Sequence, residues 1–94
     1  MQLGDLIYEF MDAAGEDPQI GPAHISLYLA VLHFYRKQDW QNPVCVFARD
    51  LMKQAKIGSS RTYHACLKDL KEGGYIKYVP SYNPFLGSLV YLKW

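Results

Sequence analysis

The stretch from residue 22 to about residue 39 constrains the fold more than any other part of the sequence, because it is apolar on both sides of a predicted helix. At helical spacing its apolar side chains fall on two sides of the helix. One face contains Ile25, Tyr28, Leu29, Leu32 and Tyr35, and the far side contains Leu27, Val31 and Phe34. A helix that is apolar nearly all round must be covered on two sides. It is also well short of the roughly 20 apolar residues that a membrane span needs, so the sequence predicts a buried helix and no membrane contact.

A shorter amphipathic pattern precedes this helix. Apolar residues recur from Leu3 at i, i+3, i+4, i+7, i+8 and i+11, which predicts a helix over residues 3–14 with Gly15 at its end. This first helix can cover the far side of the second helix, either from the same chain or from a second copy. We predict a homodimer whose interface is formed by Leu3, Leu6, Ile7, Phe10, Leu27, Val31 and Phe34. In the alternative, the first helix folds back on its own chain.

The middle of the chain contains a break, a strand and a helix. Pro43 ends the second helix, because proline disfavours the helical conformation in the residue before it. The β-branched residues around Cys45 predict a short strand over residues 44–46. A helix follows over residues 48–56, although Phe47 stands where a Ser, Thr, Asp or Asn cap is expected.

The C-terminal part predicts one more helix and a hairpin. Ser59 or Ser60 caps a helix that runs to Glu72 and ends at two glycines. Strands over residues 75–79 and 89–94 then flank a nine-residue, turn-rich loop. The predicted fold class is therefore α+β and mostly helical, with four helices, one short strand and a C-terminal β-hairpin.

Length and composition limit what such a chain can do. With 94 residues, half of them apolar and 15% aromatic, the sequence predicts a single globular domain over residues 1–94. A two-domain enzyme and a disordered chain are both excluded. The cysteines, Cys45 and Cys66, follow no secretory leader, so we expect a cytoplasmic protein without a disulfide.

The sequence offers no arrangement of side chains that indicates catalysis. Its histidines and cysteines lack metal-binding spacing, and no phosphate-binding glycine motif occurs. Cys66 is predicted to face inward, which suits a small apolar residue better than a nucleophile. We therefore expect no enzymatic activity, no metal site and no cofactor. A small-molecule pocket among Tyr28, Tyr35 and Trp40 is an alternative, although aromatic clusters in small chains are usually core.

The net charge of +1 hides a difference between the two halves of the chain. Residues 1–43 contain two basic and six acidic side chains, a net charge of −4. Residues 44–94 contain eight basic and three acidic side chains, a net charge of +5. A basic half-domain favours a polyanionic partner, although a solvated surface of uneven charge is the simpler interpretation.

Two helices joined by a tight turn predict a helix-turn-helix over residues 47–73, with the hairpin of residues 75–94 as a wing. The second of these helices has two faces of different chemistry. An apolar side contains Tyr63, Cys66, Leu67 and Leu70, and the opposite side contains Arg61, His64, Ala65 and Lys68. Cationic side chains around a small alanine are what a helix in the major groove of DNA needs.

At this point the sequence resembles the winged helix-turn-helix superfamily of bacterial transcription regulators. The resemblance is found in the run from Lys56 to Leu70, in Gly74-Tyr75-Ile76, and in the wing of residues 78–88. These segments look most like a group of small bacterial winged-helix transcriptional regulators. The resemblance covers about three quarters of the chain, and it implies a winged-helix fold and DNA binding.

The candidate DNA contacts lie on and around the predicted recognition helix. We assign base readout to Arg61, because arginine bound to guanine is the commonest specific contact. Hydroxyl groups at the helix start can bind phosphate or cap the helix, and lysines can bind phosphate. The predicted DNA-binding residues are Lys53, Lys56, Ser59, Ser60, Arg61, Thr62, His64, Lys68, Lys71 and Lys77.

The wing departs from the pattern of the superfamily. Wings often bring Arg or Lys to the minor groove, whereas this tip offers Tyr82, Phe85 and Leu86 without a basic residue. These three residues are candidates for contact with a protein partner. The sequence thus predicts a nucleoid-associated protein that binds a specific double-stranded DNA site, in transcription regulation or in replication or excision of a mobile element. The alternative is a winged-helix protein-interaction module that does not touch DNA.

Overall fold

The computed structural model describes residues 3–81, 83 and 85–92. These residues form an α+β fold that is mostly helical, as the sequence predicts, with four helices and a three-stranded antiparallel sheet. In chain order the elements are α1 (Leu3–Gly15), α2 (Pro22–Lys37), β1 (Val44–Val46), α3 (Ala48–Ala55), α4 (Ser60–Glu72), β2 (Ile76–Val79) and β3 (Ser88–Leu92). None of the helices in this part of the chain is long and apolar enough to cross a membrane.

Helix α2 is covered on both sides by its own chain. Strand β1 and helices α3 and α4 all pack against it, and Leu27 and Val31 are completely buried. On another side, Phe10 of α1 stacks face to face on Tyr28 with 3.8 Å between the ring centroids. The hydroxyl of Ser26 donates to the carbonyl of Ala55 and so ties α2 to the end of α3. The chain itself therefore covers two sides of α2.

This packing corrects the predicted dimer interface. Four of its residues, Leu6, Phe10, Leu27 and Val31, lie in the core of the single chain, so their side chains are not free to contact a second copy. The alternative that α1 folds back on its own chain is the one observed. The other three predicted interface residues are partly buried against the same core; these are Leu3, Ile7 and Phe34.

The sheet places β3 between β1 and β2. Val90 of β3 lies opposite Val44 of β1 and opposite Tyr78 of β2. The inward face of the sheet is aliphatic and buried, and it consists of Val44, Val46, Ile76, Val90 and Leu92. The predicted hairpin is present between β2 and β3. The short strand β1, for which the sequence suggested no partner, extends that hairpin into a sheet.

Two side-chain amides hydrogen-bond to the sheet as a neighbouring strand would. Gln38 donates from Nε2 to the carbonyl of Cys45 at 2.7 Å and accepts the N–H of the same residue at Oε1 at 3.0 Å. Asn42 pairs with Leu92 in the same way, with distances of 3.2 Å and 2.9 Å. Each amide bonds one N–H group and one carbonyl group of a strand. Without a partner, these backbone groups would destabilise the fold.

The loop between α1 and α2 is attached to the start of the hairpin. Tyr75 donates its hydroxyl to Oδ2 of Asp17 at 2.7 Å, and Asp17 Oδ1 accepts the N–H of Gln19. The hydrogen bond from Tyr75, followed by the one from Gln19, lowers the pKa of Asp17 below its ordinary value. Because this contact joins residues 58 positions apart, it holds the acidic N-terminal half against the basic half.

Several predicted boundaries shift by one or two residues. Helix α2 ends at Lys37 because Asp39 and Trp40 take left-handed backbone conformations, and α3 ends at Ala55 because Lys56 does the same. Phe47 does occupy the N-cap position of α3, and no side-chain hydrogen bond caps that helix. The predicted last strand reached residue 94, and its final two residues lie outside the described part of the chain.

Candidate nucleic-acid interface

Helix α4 begins where the sequence places a capping serine. Ser59 has an extended backbone, and its side-chain oxygen accepts the N–H of Thr62 at 3.2 Å. This hydrogen bond satisfies one of the free N–H groups at the start of the helix. Of the two serines considered as caps, Ser59 has this role, and Ser60 becomes the first helical residue.

The two predicted faces of α4 are the two observed faces. The buried residues are Tyr63, Cys66, Leu67 and Leu70, and the solvent-exposed residues include Arg61, His64, Ala65 and Lys68. Burial, and after it the charge of Asp69, raises the pKa of the Cys66 thiol. A thiol that is harder to deprotonate suits a small core residue. The exposed face is left to interact with solvent or a partner.

All ten residues that the sequence nominated for DNA contact are exposed. Seven of them lie on α4 or at its cap, and Lys53 and Lys56 lie on α3 and at its C-terminal end. Lys77 is separate from this group, because it is on β2. Its side chain is on the exposed face of the strand, opposite to the buried Ile76. Nine of the ten residues therefore lie on α3, α4 and the turn between them, and Lys77 lies on the hairpin.

Three of the nominated residues share a small pocket between α4 and β2. His64, Lys68 and Lys71 line it together with Leu67 and Tyr78, and its volume is about 170 Å³. The sequence reasoning missed Tyr78, whose position opposite α4 depends on how the hairpin folds back.

Tyr78 is held in place by a second residue of the hairpin. Its hydroxyl donates to Oγ of Ser88 at 3.1 Å, and Oγ of Ser88 also accepts the N–H of Ser81. The pocket wall from β2 is therefore fixed by hydrogen bonds at the base of the hairpin loop.

Helix α3 carries a further cation that sequence reasoning missed. Arg49, Lys53 and Lys56 follow one another at i, i+4 and i+7, and all three are exposed. That spacing places them along one side of the helix, opposite the buried Leu51 and Ala55. The spacing itself could have identified Arg49. The row ends at the turn that leads into α4.

The acidic groups of α4 are paired with cations or with histidine. His24 of α2 lies 2.8 Å from Oδ2 of Asp69 through Nε2, and its Nδ1 accepts the N–H of Gly21 at 3.0 Å. A ring nitrogen that accepts from a backbone N–H carries no proton, so Nε2 is the donor to Asp69. Glu72 lies 3.9 Å from Lys68, and both side chains are largely exposed.

The start of α2 forms a wall beside the exposed face of α4. An open groove of about 470 Å³ is lined by Pro22 and Ala23 on one side and by Arg61, Thr62 and Ala65 on the other. No local pattern indicates that these segments meet, because about 40 residues separate them.

The tip of the hairpin loop exposes apolar side chains. Phe85 is 88% exposed and Leu86 is 65% exposed. The backbone beneath them is ordered by Asn83, whose side chain accepts the N–H of Phe85 at 2.9 Å, and by Gly87 in a left-handed conformation. Tyr82, the third residue nominated for a protein contact, lies outside the described residues.

Within residues 3–81, 83 and 85–92, no group of three or more His, Cys, Asp or Glu side chains is arranged to hold a metal ion. In comparisons with known proteins, no protein-family model, curated protein or solved structure matches this chain.

Proposed function

We propose that this protein is a winged helix-turn-helix protein that binds a specific site in double-stranded DNA, with α4 in the major groove. Regulation of transcription, or an accessory role in replication or excision of a mobile element, is the cellular task that suits such an activity. One observation carries the proposal. The solvent side of α4 presents Arg61, Ala65 and Lys68, with the cations of α3 beside the turn that leads into it.

The order of the elements supports the same proposal. The chain order is a helix, a short strand, two helices joined by a tight turn, and a hairpin. Strand β1 pairs with β3, and the sheet order is β1-β3-β2. In a winged helix the second helix of the turn is the recognition helix and the hairpin is the wing, which here correspond to α4 and β2–β3.

Each contact in the proposal has a chemical role. Arg61, on the first turn of α4, is suited to a bidentate contact with guanine in the major groove. Ala65 is small enough for the helix backbone to approach the base pairs closely. The lysines of α3 and α4 neutralise phosphates and position the helix. Lys68 would exchange its exposed contact with Glu72 for a phosphate, at little cost because such pairs contribute only about 0.5 kcal/mol.

Fluorescence anisotropy with a pool of labelled duplex DNA tests the proposal. If about four phosphates are contacted, affinity is expected to fall roughly 100-fold between about 50 and 200 mM salt. The double variant Arg61→Ala/Lys68→Ala is expected to bind more weakly than the wild-type protein at both salt concentrations.

A matched control separates a specific contact from a general effect of charge. Arg36→Ala/Lys37→Ala removes the same two charges from the exposed end of α2. This control is expected to retain most of the affinity. Equal losses in the two double variants, or no binding by the wild-type protein at low salt, would contradict the assignment of α4 as the recognition helix.

We keep a second candidate function, a protein-interaction module, because of the wing tip. The exposed Phe85 and Leu86 form an apolar tip without a basic residue, which is unusual for a DNA-contacting wing. Docking through these residues should be insensitive to salt, whereas DNA binding should not. The variant Phe85→Ser/Leu86→Ser is expected to leave DNA affinity within about twofold if α4 is the binding element.

Two copies on a two-fold site remain part of the proposal, since a single small domain buries modest area on DNA. The corrected core shifts the candidate interface to the outer side of α1, where Tyr8 and Met11 are exposed. Sedimentation at micromolar concentration, with and without duplex DNA, distinguishes a dimer in solution from two monomers that meet on the DNA.

A further inference from the structure

We infer that His64 recognises a hydrogen-bond donor on a base edge, the amino group of adenine or cytosine, and does not bind phosphate. The inference rests on the proposed DNA binding and assigns a specificity-determining role within it. It follows from which ring nitrogen of His64 carries the proton, and that is fixed by contacts inside α4.

The ring of His64 is turned back onto the first turn of its own helix. Its Nδ1 lies 2.8 Å from the backbone carbonyl oxygen of Ser60 and 3.3 Å from the hydroxyl oxygen of the same residue. A carbonyl oxygen can only accept, so Nδ1 must be the atom that donates. In the neutral ring the proton is therefore on Nδ1, and Nε2 has a free lone pair.

A second contact restrains the orientation of this ring. The ring of Tyr63, which is buried, lies edge to face with that of His64 at a centroid distance of 5.1 Å and an angle of 80°. With Nδ1 bonded to Ser60 and the ring held against Tyr63, Nε2 is the polar atom left for a ligand. A restrained side chain loses less entropy when it makes a contact.

The free atom decides which groups on DNA can be recognised. Phosphate oxygens are acceptors and offer nothing to the lone pair of Nε2. In the major groove, donors are found at N6 of adenine and N4 of cytosine, whereas guanine presents only acceptors. Arg61 and Lys68 on the same helix are donors only. Helix α4 thus combines donors that select guanine with the ring acceptor of His64, which selects adenine or cytosine.

Selection from a randomised duplex pool, followed by anisotropy on sites changed at one position at a time, tests the inference with the full-length protein. The wild-type protein is expected to prefer adenine or cytosine at one position by roughly five- to tenfold. His64→Ala is expected to abolish the preference at that position only. His64→Lys, which offers only a donor, is expected to move it to guanine.

The control is His33→Ala, which removes an exposed histidine on α2 that is not among the proposed DNA contacts. It is expected to leave all preferences unchanged.

The possible failures are distinguishable. If the wild-type protein does not bind duplex DNA at low salt, the proposed function and this inference both fall. If it binds with a sequence preference, and folded His64→Ala and His64→Lys variants retain that preference at every position, only the role of His64 is overturned. Circular dichroism and thermal unfolding establish that the variants are folded.

Discussion

Helices α2 and α4 are used in opposite ways. Helix α2 packs against its own chain on two sides, with Leu27 and Val31 completely buried on one side and Tyr28 under Phe10 on another. Helix α4 is buried along one side only. The comparison shows which helix organises the core and which is available to a partner. Helix α4 has exposed cations along its length, whereas those of α2, Arg36 and Lys37, lie at its C-terminal end.

The largest expected effect comes from placing the same charge on each helix. Leu27→Asp buries a carboxylate without a partner in the centre of the core, and we expect a loss of more than about 4 kcal/mol, enough to prevent folding of a small domain. Ala65→Asp on the exposed side of α4 is expected to change stability by about 0.5 kcal/mol or less. Urea denaturation followed by circular dichroism measures both. A folded Leu27→Asp variant would mean that α2 is less enclosed than described.

The next largest effect involves a tyrosine on the covered side of each helix. Burial raises the pKa of Tyr28 and of Tyr63 to about 12, with smaller contributions from Glu9 and Tyr78 respectively. The folded-state pKa lies above the ordinary value near 10, so each buried tyrosine stabilises the fold while it is neutral. Its contribution to the free energy of unfolding is complete below pH 10 and is lost as the pH rises from 10 towards 12. The loss is about 2 to 3 kcal/mol for each tyrosine.

Alkaline titration checks this expectation. Ionisation of tyrosine, followed by ultraviolet absorbance, should coincide with loss of the helical circular dichroism signal. Tyr63→Phe, which keeps the ring and removes the hydroxyl, should unfold at higher pH than the wild-type protein. Smooth ionisation of all tyrosines near pH 10 with the fold intact would contradict the burial of both rings.

The smallest effect concerns how the two helices begin. Ser59 caps α4 through its side chain, whereas α2 starts at Gly21, and the side chain of His24 accepts the N–H of that glycine. Ser59→Ala is expected to cost about 1 kcal/mol, and Ser59→Asp to cost little because aspartate also caps well. Thermal unfolding of the two variants measures the difference. Equal losses would assign Ser59 a role other than capping.

Much of this arrangement could be predicted because it depends on local spacing. The 3.6-residue period separates Tyr63 and Leu67 from Arg61 and Lys68 whatever else the chain does, so the two faces of α4 could be read directly. The β-branched residues around Cys45 likewise predicted β1 with its observed bounds, Val44–Val46. Arg49 could have been found by the same spacing argument.

The errors arose where the answer depended on which surfaces meet. The sequence indicated that α2 needs cover on two sides, but it gave no means of deciding whether α1 covers it from the same chain or from another. Leu29 shows the same limit. Its spacing placed it with the apolar residues of α2, yet 45% of its surface is left exposed by the described part of the chain.

The sequence by itself determined the kinds of element, their order and the face that each helix turns inward, because these follow from the period of the side chains and from caps and breaks a few residues away. Only the tertiary structure decided the pairing of β1 with β3, the contact between His24 and Asp69, and the pocket that joins His64 to Tyr78. These pairs are separated by many residues along the chain. Their contacts depend on the packing of the whole core rather than on any local pattern.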